Sequence, residues 1–260
     1  MADTLLILTA IARHYLEFDK VKLDELAKIN RRLEIDRYGL TEKNRARLRQ
    51  FDDPDNVVTL LRLPEKLMRI ATRNRKPRAG ALLAQTATAI GILLMAPIRI
   101  GNLADLDLER DLLRPGRGKQ LHIVLSAGQA KGREFLEYRL PAPSVELIER
   151  YLVNFRPRLA HPRCTALFPG KGGGAKAINT LRKQISDTVY SYTGLKMNPH
   201  LFRHTMAKMF LDQNPGEHEV VRRVLGHKSI DTTTSYYTGL ETAAAVRHFD
   251  NTILKLQNKR

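Results

Sequence analysis

Apolar residues recur every three or four positions from about Leu5 to Thr72, in runs such as LLILTAIARHYLEFDKVKLDELAKINRRL and NVVTLLRLPEKLMRIA, with charged residues between them. That spacing puts the apolar side chains on one face of successive helices, so this region is expected to be all helical. The uncharged stretch Ala79–Ile98, AGALLAQTATAIGILLMAPI, is continuous instead of periodic and about as long as a membrane span. Gln85, Thr86, Thr88, Gly80 and Gly91 dilute it and Pro97 stops it, which predicts a helix buried in a protein core. The pattern then changes. QLHIVLS (Gln120–Ser126) and EFLEYRLP (Glu134–Pro141) are rich in β-branched or aromatic residues and flank AGQAKGR, which predicts a β-hairpin with Lys131 near its tip. Helical spacing returns at Ser144–Asn154, Ala175–Tyr192, His200–Gln213 and Glu217–Leu225. The expected class is mainly α with a small antiparallel β-sheet (α+β).

A basic run containing Pro and Gly, TRNRKPRAG, reads as a linker between a helical region, residues 1–74, and a second domain, residues 75–260. ALFPGKGGGAKA lacks the Gly-x-x-x-x-Gly-Lys-Ser/Thr order of a phosphate loop and is expected to be a surface connection. After Gly239, Ala244, Val246, Phe249, Ile253 and Leu256 fall at approximately helical spacing before a basic tail.

Charge narrows the function. The 260 residues carry 44 Lys and Arg against 27 Asp and Glu, a formal net charge of +17, which favours a polyanionic partner. Nucleic acid leads, because each cation that neutralises a phosphate releases condensed counterions. An anionic membrane surface would need an amphipathic or lipidated anchor, and none is seen, so no membrane partner is expected. The single cysteine, Cys164, rules out an internal disulfide, and no Cys/His cluster has structural zinc spacing. With an N-terminus that lacks a basic region and a cleavage site, these features lead us to expect a cytoplasmic protein.

The stretch NPHLFRHTMAKMF carries the first candidate chemistry. With Asn198 or Pro199 at a helix start, His200 and Arg203 lie three apart on one face, near the helix N-terminus. That position suits an anion: free N–H groups and partial positive charge lie beside a guanidinium fork and a histidine. His200 and His204 are four apart, as in a metalloprotease pair, but Leu201 stands where that motif needs Glu, so no metal is expected.

In chain order the sequence offers APIRIGNLADLDL with Arg99, the hairpin with Lys131, HLFRH with His200 and Arg203, LGHKS with His227, and TTTSYYTG. This order resembles the tyrosine recombinase or phage integrase family over about residues 78 to 260. It departs from the family's common pattern in the API before Arg99, in Phe202, and in a short region ahead of the first box. The resemblance implies that Arg99 and Arg203 hold a DNA phosphate, with Leu103 and Leu106 facing the core behind Arg99. It implies that His200 removes the proton of an attacking tyrosine, that His227 adds a donor, and that Lys131 protonates the departing 5′-oxygen. The product would be a covalent 3′-phosphotyrosine, reached without metal, ATP or cofactor. Helical neighbours point about 100° apart, so one of Tyr236 and Tyr237 is the nucleophile. Tyr237, followed by Thr238 and Gly239, fits the family pattern better, with Tyr236 as its supporting neighbour. The resemblance further implies a partial core-binding clamp in residues 1–74, double-stranded DNA as partner and a homotetramer held by exchange of C-terminal helices. Type IB topoisomerase-like cleavage and resealing, or a DNA-binding remnant of a mobile element, are the alternatives.

Overall fold

The computed structural model describes residues 2–33, 39–116, 120–129 and 135–237, together with positions 245, 246, 249, 250, 253, 254 and 257. By packing, the chain divides between Thr41 and Glu42 into two units. In the first, α1 (Ala2–His14) packs with α2 (Lys20–Leu33). The start of α2 is capped by Asp19, whose carboxylate accepts a hydrogen bond from the Lys22 N–H at 2.9 Å.

In the second unit, α3 (Glu42–Leu48), a 3₁₀ turn (Arg49–Asp52) and α4 (Pro54–Thr72) lead to α5 (Pro77–Met95). The predicted linker shrinks to four residues, 73 to 76, because Pro77 opens the next helix with its ring-fixed φ and α5 folds straight back on α4. Gly80 permits that return: a Cβ there would stand 2.8 Å from the Ala71 carbonyl. The uncharged stretch is the core helix expected of it, packed against α4 and, further along the chain, α7 (Ala142–Asn154), α8 (Ile178–Thr193) and α9 (Pro199–Gln213). Most of its polar side-chain atoms find partners inside the protein, the buried Gln85 Oε1 being the exception. The Gln85 amide donates to Tyr151 Oη at 3.2 Å, and the Thr86 and Thr88 hydroxyls donate one turn back to the carbonyls of Leu82 and Ala84. Gly91 leaves the space that Leu147 of α7 fills, since a Cβ would lie 2.5 Å from Leu147 Cδ2.

A short α6 (Ile100–Ala104) follows α5 and precedes the sheet. The predicted hairpin is present as β2 (His122–Leu125) and β3 (Leu136–Arg139), paired antiparallel with Ile123 opposite Tyr138 and Leu125 opposite Leu136. A third strand, β1 (Leu112–Leu113), pairs with β2 and has too few residues to show a period in sequence. Along β3, Leu136 and Tyr138 turn inward while Glu137 and Arg139 face out. Lys131 lies outside the described residues. The glycine-rich ALFPGKGGGAKA closes as a narrow loop through the Gly170 N–H donating to the Gly174 carbonyl at 2.8 Å. The chain continues through α10 (His218–Leu225) and α11 (Ile230–Tyr237).

Candidate active site

Asn198 caps α9 through its side-chain oxygen, which accepts from the Leu201 N–H at 3.0 Å, and Pro199 occupies the first helical position. His200 and Arg203 therefore fall in the first turns, as their spacing requires. Arg203 is 4% exposed. One Nη donates to the Pro97 carbonyl and the other to the Leu225 carbonyl at 2.6 Å. Those carbonyls lie two residues before Arg99 and two before His227, so a single guanidinium ties three separate segments together. Arg99 sits half-buried at the N-cap of α6, and among the described residues no carboxylate pairs with it. Leu103 and Leu106 are fully buried behind it.

His227 is aimed by the turn that ends α10. Gly226 adopts φ +60°, and a Cβ there would meet Leu136 Cδ1 at 2.8 Å, so a side chain at 226 would meet both a strained backbone and the sheet. Tyr138 Oη donates to the Val224 carbonyl at 2.7 Å, so β3 grips this turn from one side. From the other side His227 Nδ1 lies 2.9 Å from the buried Thr233 hydroxyl of α11.

The two tyrosines differ sharply in environment. Tyr237 is 0% exposed and its hydroxyl lies 3.0 Å from His204 Nδ1. Tyr236 is half-buried, with its ring 5.5 Å from that of His204, centroid to centroid. His204 Nε2 in turn lies 3.3 Å from His200 Nε2, and the His200 ring reaches solvent.

Burial and the arginines keep the histidines neutral. Burial, with His200, Arg203 and His227 nearby, lowers His204 to about 3. Burial, with the charges of Arg203, Arg99 and Arg222, lowers His227 to about 4. Burial and the same Arg203 and Arg99 push His200 below its usual range. Arg203 is lowered to about 10 by burial and by Arg99, and stays charged at neutral pH. Burial raises the Tyr237 phenol, with Arg203 opposing. The site at pH 7 is thus two guanidinium charges among neutral imidazoles, an environment made for an anion.

His204 takes a proton near pH 6.5 when unfolded and only near 3 when folded, so the unfolded chain binds more protons between those values and stability falls as pH falls. His204 steepens the loss by up to about 1.4 kcal/mol per pH unit. Melting temperature is expected to drop between pH 7 and pH 5, above the carboxylate range, and less steeply in His204→Gln; identical slopes in thermal unfolding would refute this account.

Of the residues expected from sequence, Arg99, His200, Arg203, His227 and both tyrosines lie in one electrostatically coupled cluster. His204 and Tyr138 were not anticipated as part of it. His204 was visible as a helical partner of His200, but its link to Tyr237 spans 33 residues. Tyr138 carried no sequence signal beyond its strand.

The family model described as the phage integrase family matches residues 57–243. Tyrosine recombinase XerD of Lacticaseibacillus casei is 31% identical over 122 residues, 45% of this chain and 41% of that protein. Tyrosine recombinase XerC of Anoxybacillus flavithermus (strain DSM 21510 / WK1) is 30% identical over 117 residues, 44% of this chain and 38% of the relative. The match therefore spans about two fifths of either relative's length. Among solved structures, XerH site-specific recombinase bound to difH substrate, a pre-cleavage complex, aligns with a TM-score of 0.52 at 21% identity, covering 66% of this chain and 48% of that one. The XerH post-cleavage complex on palindromic difH aligns at 0.53 and 21% identity, covering 71% and 51%. These two show the same fold.

Proposed function

The chain belongs to the phage integrase family, and from that membership together with its site we propose that it is a tyrosine-type site-specific recombinase that cleaves and rejoins double-stranded DNA through a covalent 3′-phosphotyrosine. The observation that carries the reading is the single buried guanidinium of Arg203, bonded beside both Arg99 and His227. Attack on a phosphodiester builds negative charge on its non-bridging oxygens, and Arg99 and Arg203 stabilise that charge. His200, neutral at working pH, takes the phenolic proton. His227 adds a hydrogen bond to the phosphate. The P–O5′ bond breaks as the Tyr–O–P bond forms, and the departing 5′-oxygen takes its proton from Lys131. The bond energy stays in the phosphotyrosine, so religation requires no ATP.

For the nucleophile we propose Tyr236 in place of the expected Tyr237. Tyr237 is fully buried, its hydroxyl is engaged by His204 and its pKa is raised. A DNA strand reaches it only if α11 moves, whereas Tyr236 is partly accessible as the helix stands. Tyr237 becomes the supporting neighbour.

We further propose that residues 1–74 form a partial DNA clamp, that the protein acts in the cytoplasm, and that four copies assemble by exchange of C-terminal helices. In support of exchange, Val246, Phe249 and Ile253 are 53%, 65% and 39% exposed; Ala244 and Leu256 lie outside the described residues. Deleting the chain after Thr242 is expected to preserve DNA binding and to remove synaptic tetramers in gel shift, and a truncated chain that still forms them would refute exchange.

The functional test is a nicked suicide duplex followed by denaturing electrophoresis. The expected result is protein covalently attached to DNA. Its absence would favour a DNA-binding remnant, and relaxation of supercoils without a defined site would favour topoisomerase-like resealing.

A further inference from the structure

Tyr237, His204 and His200 form a hydrogen-bonded chain of which the reaction just described uses only His200. Tyr237 Oη lies 3.0 Å from His204 Nδ1, and His204 Nε2 lies 3.3 Å from His200 Nε2. Tyr237 and His204 are 0% and 5% exposed, so the middle of the chain is shut off from solvent, while the His200 ring opens to it. Among the described residues His200 Nδ1 has no hydrogen-bond partner.

A neutral imidazole has one N–H and one lone pair, so the chain can be polarised in only two ways. In the first, the Tyr237 hydroxyl donates to His204 Nδ1 and His204 Nε2–H donates to His200 Nε2. His200 then holds its proton on Nδ1 and has no lone pair to offer. In the second, His200 Nε2–H donates to His204 Nε2, and His204 Nδ1–H donates to the Tyr237 oxygen. His200 Nδ1 then carries a free lone pair, and His200 is a base.

We infer that Tyr237 is a positioning residue: its buried oxygen accepts from His204 Nδ1 and, through His204, holds His200 in the tautomer able to take the proton of the attacking tyrosine. The inference rests on the reading of His200 as base and Tyr236 as nucleophile. It gives α11 two tasks, because the helix that brings in the nucleophile also sets the base. The helix docked on α9 arms His200, and the helix withdrawn leaves both histidine tautomers open. The groups facing the pair are Arg203 on α9, Arg99 at the start of α6, His227 after α10, and Tyr236 and Tyr237 on α11. The arginine charges disfavour an imidazolium at either position, which keeps the choice between the two neutral arrangements.

The test measures the rate of covalent adduct formation against pH, from 5 to 9. The probe is a nicked duplex carrying the sequence that the full chain selects from a random DNA library. The wild-type rate is expected to rise and level off near neutrality. Tyr237→Phe keeps the ring and removes the acceptor. Its rate at pH 7 is expected to fall by about 10²-fold, the scale of a lost general base. It should also lose the plateau and keep climbing about tenfold per pH unit, with DNA affinity near wild type; the orphaned His204 N–H lowers the melting temperature, so rates are compared well below it. His204→Gln provides the second arm: in that background Tyr237→Phe should slow the reaction no further. A wild-type rate and plateau in Tyr237→Phe, or independent multiplicative losses in the double variant, would overturn the inference. So would adduct that vanishes in Tyr237→Phe and persists in Tyr236→Phe, which makes Tyr237 the nucleophile. A wild-type chain that forms no adduct would instead overturn the functional reading, and this inference with it.

Discussion

Arg203→Ala is expected to lower covalent adduct formation by about 10³-fold or more while leaving most of the non-specific DNA affinity. Removing one well-placed donor from a site that stabilises developing negative charge costs about 10²–10³ in rate. Arg203 offers several donors and also a full charge. Its Nη atoms spend one hydrogen bond each on the carbonyls of Pro97 and Leu225, and each Nη has a second N–H for a phosphate oxygen. Non-specific affinity comes instead from the surplus behind the net charge of +17, and a residue 4% exposed contributes little to it. The alanine variant also leaves two carbonyls without a partner, at about 1–3 kcal/mol each, so its melting temperature must be measured alongside. Arg203→Lys separates the two effects. It retains the charge, but a single ammonium cannot reproduce the planar fork that spans both carbonyls, so it should bind DNA and cleave poorly. Adduct at wild-type rate from a folded Arg203→Ala chain would remove Arg203 from the site.

Tyr236→Phe is expected to abolish the adduct altogether, because no other group can form the phosphoester bond once the phenolic oxygen is gone. Phenylalanine preserves the ring that packs beside His204, so folding and DNA binding should be unchanged. The contrast with Tyr237→Phe, where a slowed reaction is expected to remain, assigns the two adjacent tyrosines to different tasks. Residual adduct in a verified Tyr236→Phe preparation, mapped by peptide sequencing to Tyr237, would reverse the assignment.

Much of this protein is determined by local pattern, and that part was legible in the chain. Helical periodicity located α4, α7, α8, α9 and α10 to within a few residues, because each must bury one apolar face. The β-branched and aromatic content of two runs around a Gly-containing turn located β2 and β3 as a hairpin, while their register came only with the fold. The uncharged stretch was assigned to a core because Gln85, Thr86, Thr88, Gly80 and Gly91 dilute it and Pro97 stops it, and in the fold the Gln85 amide and the Thr88 hydroxyl do find partners there. The order of Arg99, His200, Arg203 and His227 was equally plain, since each box is a short run of residue types.

What the pattern left open depends on contacts between residues distant in sequence. Two adjacent tyrosines on a helix are equivalent until the neighbouring helix is placed; only its position decides that Tyr237 faces His204, 33 residues away, while Tyr236 keeps some solvent. The clamp from Arg203 to carbonyls 106 and 22 residues away, and the bond from Tyr138 to Val224 across 86, involve backbone acceptors that every residue possesses and no composition can flag. The β1 strand, two residues long, forms because β2 already offers it an edge. The chain by itself determined which groups are available and on which elements they ride. The tertiary structure decided which face one another, because hydrogen-bond geometry and burial are properties of pairs that only packing brings together.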